Sequence, residues 1–175
     1  MSADSQVYLR PVNRRDRSEF LALMQQSKEL HGPWIQPPLS SLSFHSYVAR
    51  TQRTDYEGLL VCRRDDDAIA GVININNVIR GSFLSASLGY YAGAPFAGRG
   101  YMREGLQLVL RYAFRDLGLH RLEANIQPDN VRSIALVRSA GFVYEGLSPA
   151  FLFIEGQWRD HERWTVCDPR PTLYP

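Results

Sequence analysis

Three short constellations in this 175-residue sequence carry residue types suited to chemistry. The first is Ala97-Gly98-Arg99-Gly100-Tyr101-Met102, a glycine-rich turn between a strand-like stretch ending at Tyr91 and a long segment with an apolar stripe. Backbone amides at such a turn lack partners and point outward. The helix that follows adds roughly half a positive charge, so a phosphate or pyrophosphate binds there readily. A Gly-x-Gly pair also serves a plain tight turn, and the pair by itself does not choose between the two. Two rival phosphate loops are excluded. A dinucleotide fingerprint needs glycine where Arg103 stands, and a Walker A loop needs Gly-Lys followed by Ser or Thr.

The second constellation is Asn130 with Ser133, at the start of a short helical stretch closed by Gly141-Phe142. An Asn N-cap with Ser in the first turn is common capping chemistry. It is also a second helix start at the same sheet edge, placed to hydrogen-bond a long, amide-containing ligand. The third is Glu123 with Asn125, which period 2 puts on one strand face. Glu123 reads either as a base acting directly or through water, or as a strand carboxylate paired with arginine. His120, Asp160 and His161 read more readily as groups making structural hydrogen bonds.

The elements that must position these residues follow from the apolar pattern. Val7 and Leu9 alternate ahead of Pro11, and Phe20, Leu21, Met24 and Leu30 recur at helical spacing. Gly32, Pro33, Pro37 and Pro38 break regular structure and present Trp34 from a loop. Phe44, Tyr47, Val48 and Thr51 mark another helix. Leu59 to Cys62, Ala68 to Ile75 and Phe83 to Tyr91 then read as a meander, with Asp65-Asp66-Asp67 turning the first pair. Met102, Leu106, Val109, Leu110, Ala113, Phe114 and Leu117 line one face of the clearest helix, stopped at Gly118. Arg121 to Gln127 is a strand, Ile134 to Arg138 a short helix, and Val143 to Cys167 a hairpin turning at Glu155-Gly156. The expected fold is α+β (mixed α/β), one mostly antiparallel twisted sheet of about seven strands flanked by about four helices. The Tyr91 to Arg121 crossover must join parallel or splayed strands.

Length and composition suit one domain over residues 1–175, with its core at about 6–167. A 45% apolar and 22% charged chain is neither disordered nor fibrous. No apolar run reaches the ~20 residues that span a bilayer, and the start is polar, so the expected compartment is the cytoplasm. Cys62 and Cys167 suggest neither disulfide framework nor metal site, and both read as buried strand residues. Twenty basic residues nearly balance eighteen acidic ones, a net charge of +2, so no nucleic-acid role is expected.

These residues carry a family resemblance. Ala97 to Met102 resembles the coenzyme A pyrophosphate loop of GNAT acetyltransferases, with Gly100 on pattern, Ala97 in place of Gln or Arg and Met102 in place of Gly or Ala. Asn130, Ser133 and Gly141-Phe142 are similar to that family's second coenzyme-contacting segment. The resemblance narrows to the Rim group of ribosomal-protein N-acetyltransferases, specifically its RimJ-like alanine type. It is carried by Asn77 to Phe83, by Leu88-Gly89-Tyr90 with the glycine loop, by His120-Arg121 through Ser133, and by Glu155 to His161. Pro33-Trp34 also resembles a segment near the acceptor side of that group. Phe151 stands where much of this family has Tyr, and the carboxylate that some relatives use as base near that point has no counterpart.

The resemblance implies acetyl transfer from acetyl-CoA, with no metal, onto the N-terminal α-amine of a protein starting with Ala or Ser, a ribosomal protein among the candidates. It implies that Leu88, Gly89, Tyr90, Ala97, Gly98, Arg99, Gly100, Tyr101, Met102, Asn125, Asn130 and Ser133 contact the coenzyme, that Ser133 is the acid for the leaving thiolate, and that Glu123 is the candidate base. Trp34 and Arg80 are the candidate acceptor residues, in a monomer or homodimer. A small-amine acetyltransferase, for an antibiotic or a polyamine, and a non-catalytic coenzyme A-binding module are the alternatives. The loops His31 to Ser43 and Ile79 to Ser82 hold no carboxylates, which favours a peptide or neutral acceptor over a polyamine.

Overall fold

The alternation of Val7 and Leu9 forms the first strand, β1 (Val7–Pro11), in the computed structural model, which describes residues 5–170. The long helical stripe that follows is interrupted. It divides into α1 (Arg17–Gln26) and α2 (Lys28–His31) at Ser27. The Ser27 hydroxyl donates back to the Leu23 carbonyl at 2.6 Å and accepts the Ala94 amide at 2.8 Å, which diverts the helical ladder. α3 (Ser41–Arg50), α4 (Tyr101–Arg115) and α5 (Val131–Ser139) complete a helix set that agrees with the expected number of about four, the division at Ser27 adding one.

The meander is present as β2 (Glu57–Arg63), β3 (Ile69–Ile79) and β4 (Ser85–Ala92). It is followed by β5 (Arg121–Ile126) and the hairpin β6 (Val143–Ile154) and β7 (Gln157–Cys167). Glu155 and Gly156 turn that hairpin with φ of 49° and 77°, the double positive φ that suits a right-twisted strand pair. The seven strands form one sheet in the order β1-β2-β3-β4-β5-β7-β6. Every neighbouring pair is antiparallel except β4 and β5.

The sheet is packed on both faces, which is why Leu59 to Cys62 reads as a continuous apolar run. Leu59 and Val61 face α4 and α5 with Ile73, Leu88, Leu122, Leu106 and Val109. Leu60 and Cys62 face the other way, with Phe20, Met24, Phe44 and Tyr47 of α1 and α3. Gly105 inside α4 costs about 1 kcal/mol relative to alanine as a helix residue. A Cβ there would sit 2.7 Å from the Val61 side chain, so the glycine admits close helix-sheet contact. The α1–α3 core involves β1 to β4 but not β5 to β7, which leaves the sheet face beyond β4 open. Of the two cysteines expected to be buried, Cys62 is, but Cys167 is exposed, because it ends β7 where the sheet core stops.

Candidate active site

Parallel pairing of β4 with β5 runs only from Ser85–Arg121 to Leu88–Ala124. Beyond it, Gly89 to Ala92 stay bonded to β3, while Asn125 and Ile126 stay bonded to β7. The two strands therefore splay, and their facing edges present unpaired backbone groups, which a buried sheet edge satisfies only with a ligand or water. An extended amide-bearing chain fits such a gap.

On the α4–α5 face, this gap leads to the glycine loop. Gly98 and Gly100 adopt φ of 74° and 86°, a region that disfavours side chains, and a Cβ on either would meet open space. The first bonded amide at the start of α4 is that of Glu104, which donates to the Gly100 carbonyl at 3.0 Å. The amides of Tyr101, Met102 and Arg103 precede it and have no intrahelical acceptor. Arg63 holds the loop's base, its guanidinium 5.3 Å from the Phe96 ring centroid and 5.5 Å from that of Tyr101. Ala97 offers no side-chain donor and Met102 is partly buried against the core. A phosphate cradle here would rest on backbone amides, with the Arg99 and Arg103 guanidinium groups nearby in sequence.

Asn130 caps α5, its Oδ1 accepting the Ser133 amide at 3.2 Å. The Ser133 hydroxyl does something else: it lies 2.5 Å from the Tyr90 hydroxyl across the splay. Burial pushes the Tyr90 hydroxyl well above its ordinary value near 10, the Ser133 bond opposing that shift. It is therefore protonated at neutral pH, and the pair holds a proton that it can donate. The family resemblance implies coenzyme contact for Tyr90 but gives its hydroxyl no role. The signal was its alternation with Tyr91, which places Tyr90 on the α4–α5 face with Leu88.

On the opposite face lies an open cavity of about 1080 Å³. Ser87, Gly89, Glu123 and Asn125 form its floor, and Trp34, Ile35 and Gln36 enter from the loop after α2. That loop is tethered: Gln127 Nε2 donates to the Pro33 carbonyl at 3.1 Å, and Gln36 Nε2 to Glu155 at 3.4 Å. Arg50, Arg53, Asp55 and Tyr56 close one side, while Phe151 to Ile154 and His161 close the other. Glu123 accepts from Arg121 at 3.3 Å, while Arg121 is held more firmly by both oxygens of Glu145, at 2.8 and 2.6 Å. Asn125 Oδ1 is buried without a partner among the described residues. A buried acceptor left bare costs about 1–3 kcal/mol, a cost that the Asn125 side chain carries in this fold. Arg80 is not brought into this group; its guanidinium caps the end of α4 by donating to the Leu117 carbonyl. Arg50 and His161 were not among the expected site residues, and only the tertiary fold carries them to the cavity.

His31 and His161 are buried, and burial lowers both below the ordinary 6.5, against the bonds they donate to the Ala92 and Arg159 carbonyls. The unfolded chain then takes up protons first as pH falls, so stability is full above about pH 6.5 and declines below it. Glu145, held by Arg121 and Thr165 down at about 2, adds its loss only below its ordinary 4.5. Urea midpoints are expected to fall between pH 7.5 and 5.5. His31→Asn should flatten that fall, and equal midpoints in the wild-type protein at the two pH values would contradict it.

Thus a splayed strand pair meets an amide-lined glycine turn on one face and a polar cavity on the other, with a hydroxyl pair between them. Residues 6–143 match the sequence profile of the acetyltransferase (GNAT) domain. Among curated proteins, the chain is 45% identical over 105 residues to the [ribosomal protein uS5]-alanine N-acetyltransferase of Escherichia coli (strain K12), covering 60% of this chain and 54% of that enzyme. It is 24% identical over 170 residues to the spermidine N(1)-acetyltransferase of Vibrio cholerae serotype O1, covering 95% of this chain and 96% of that enzyme. Among solved structures, Mycobacterium smegmatis RimJ in complex with CoA-disulfide superposes with a TM-score of 0.85 at 27% identity, covering 95% of this chain and 85% of that one. The glycine loop and the strand splay lie within the matched span, and the chain belongs to the GNAT acetyltransferase family.

Proposed function

We propose that this chain moves an acetyl group from acetyl-CoA onto the N-terminal α-amine of a protein beginning with Ala or Ser, with a cytoplasmic ribosomal protein as acceptor. The observation that carries the peptide reading is the charge of the cavity. Its two carboxylates are already paired, Asp55 with Arg53 at 2.8 Å and Glu123 with Arg121 at 3.3 Å. Arg50 adds a cation with no carboxylate partner among the described residues, its guanidinium 5.6 Å from the Tyr56 ring centroid. A polycation gains nothing from such a site, whereas a peptide finds hydrogen-bonding partners in Asn76, Asn77, Ser87 and Asn125.

Bound acetyl-CoA supplies an activated thioester. The chain's residues do the rest. Backbone amides from Gly98 to Met102 bind the pyrophosphate, and the open edges of Leu88 to Tyr91 and of Asn125 hold the pantetheine arm, with a β4 amide polarising the carbonyl. Trp34 and the tethered loop position the acceptor. Tyr90 and Ser133 protonate the departing sulfur.

An α-amine suits this site better than lysine, since it titrates near ~7.7–8.0 against ~10.4 and is far more often neutral at pH 7. Three acceptors test the reading: a lysine-free peptide with a free Ala N-terminus, an N-blocked peptide with one internal lysine, and spermidine. The first is expected to be acetylated with at least about tenfold higher kcat/KM. Preference for the lysine peptide would sink the α-amine assignment, and preference for spermidine would establish the small-amine alternative.

A further inference from the structure

The stretch Gln157 to His161 opens β7, and most of it has a structural task. Trp158 packs on Phe153 with ring centroids 5.6 Å apart. The Asp160 carboxylate accepts the Ala150 amide at 2.8 Å, holding Ala150 at φ 46° where the register of β6 against β7 breaks between Ser148 and Leu152. That break swings Phe151 over His161, ring centroids 6.1 Å apart.

His161 is different. It is 2% exposed and lines the cavity. Arg163 pairs with Asn125 in the antiparallel register. His161 is therefore the diagonal neighbour of Asn125 on the same face, about 7–8 Å away, beside the splay. Its Nδ1 donates to the Arg159 carbonyl at 2.9 Å, so the lone pair of the neutral ring lies on Nε2. Nε2 has no hydrogen-bond partner among the described residues. Glu123, by contrast, has an oxygen engaged by Arg121.

We propose that His161, rather than Glu123, is the general base, a role that rests on the acetyl-transfer reading above. As the amine nitrogen bonds to the acetyl carbon, its proton passes to Nε2, directly or through one water. The carbon–sulfur bond breaks, and the thiolate takes a proton from the Tyr90–Ser133 pair. Solvent later returns that proton to the pair and removes the one on His161. Attack makes the nitrogen cationic and far more acidic than the free ammonium, so a weakly basic imidazole suffices.

Burial keeps the ring neutral, and the charged groups around it do not outweigh that. On its own strand, Asp160 is engaged by Ala150, and Arg159 and Arg163 are cationic. On β5, Glu123 is paired with Arg121, and across the cavity Asp55 is paired with Arg53 beside Arg50. β6 contributes the aromatic face of Phe151. Burial is the largest influence on the ring and depresses its basicity, while Asp160 acts weakly the other way.

The test compares His161→Asn, whose amide retains a donor for the Arg159 carbonyl, with Glu123→Gln. With saturating acetyl-CoA and the Ala-peptide, wild-type kcat is expected to fall on an acid limb below about pH 6.5. His161→Asn should lose that limb and lower kcat roughly 10²- to 10⁴-fold, with acetyl-CoA affinity and circular dichroism retained. Glu123→Gln should keep the limb. Nitrogen-15 NMR of the wild-type imidazole should show the proton on Nδ1. A limb that survives His161→Asn, or a proton on Nε2, would overturn the assignment. If the wild-type protein acetylates spermidine and not the peptide, the same profiles are taken on spermidine. That result counts against the acceptor reading alone, and the fate of the acid limb still decides the base.

Discussion

Ser133→Ala is expected to lower kcat roughly 10²- to 10⁴-fold, the range lost with a positioned proton donor, while acetyl-CoA affinity changes little. The structure separates this outcome from a stability effect. The cap of α5 is the Asn130 side chain accepting the Ser133 backbone amide, which alanine retains. The hydroxyl is bonded instead to Tyr90, and its loss should cost no more than about 0.5–1.5 kcal/mol of stability. Tyr90→Phe should produce a similar loss of rate. The double variant should be little worse than either single one, because two groups that pass one proton act as a unit. Steady-state kinetics on protein shown to be folded checks this. Unchanged kcat per folded molecule in both single variants would return Ser133 to a purely local role in the helix start.

Gly100→Val should weaken acetyl-CoA binding about ten- to a hundredfold, each tenfold being about 1.4 kcal/mol. The reason is conformational. At φ 86° a β-branched residue is strained by about 1–3 kcal/mol, so the loop relaxes and withdraws the amides that would face the pyrophosphate. No protein atom within 4 Å obstructs the new Cβ, so the core is not disturbed. Gly118→Ala is the matching control, since its φ is 66° and its Cβ would also meet open space, but it lies past the other end of α4. It should lose some stability and keep its affinity. Calorimetric titration with acetyl-CoA decides the matter, and a folded Gly100→Val protein with wild-type affinity would remove the pyrophosphate from this turn.

The elements were legible in the sequence because each answers to a local rule. Met102, Leu106, Val109 and Leu110 lie on one side of a helix by spacing alone, and α4 buries that stripe against β1, β2 and β3. Glu155-Gly156 could turn a hairpin only with positive φ, and it does. The stripe from Phe20 to Leu30 misled because its interruption is not local: Ser27 is drawn off by the Ala94 amide, a partner far along the chain. The same limit applies to Cys167, whose strand pattern gave no sign that the core ends before it.

The glycine turn, the Asn130 cap and the shared face of Glu123 and Asn125 were all set by the order of residues, since turn chemistry, capping and strand period act within a few positions. What only the tertiary structure decided is which groups meet. The parting of β4 from β5 after Leu88 depends on how β3 and β7 hold each strand, and that parting opens the gap beneath Tyr90. Tyr90 and Ser133 are 43 residues apart, and His161 reaches the cavity on the opposite face through the β5–β7 register. Arg80, read as an acceptor residue, turns instead to the Leu117 carbonyl. A sequence shows which side chains can donate, accept or carry charge, but chain-distant partners are selected by sheet register and packing, so the placing of the Tyr90–Ser133 pair, His161 and the cavity about one splay belonged to the fold.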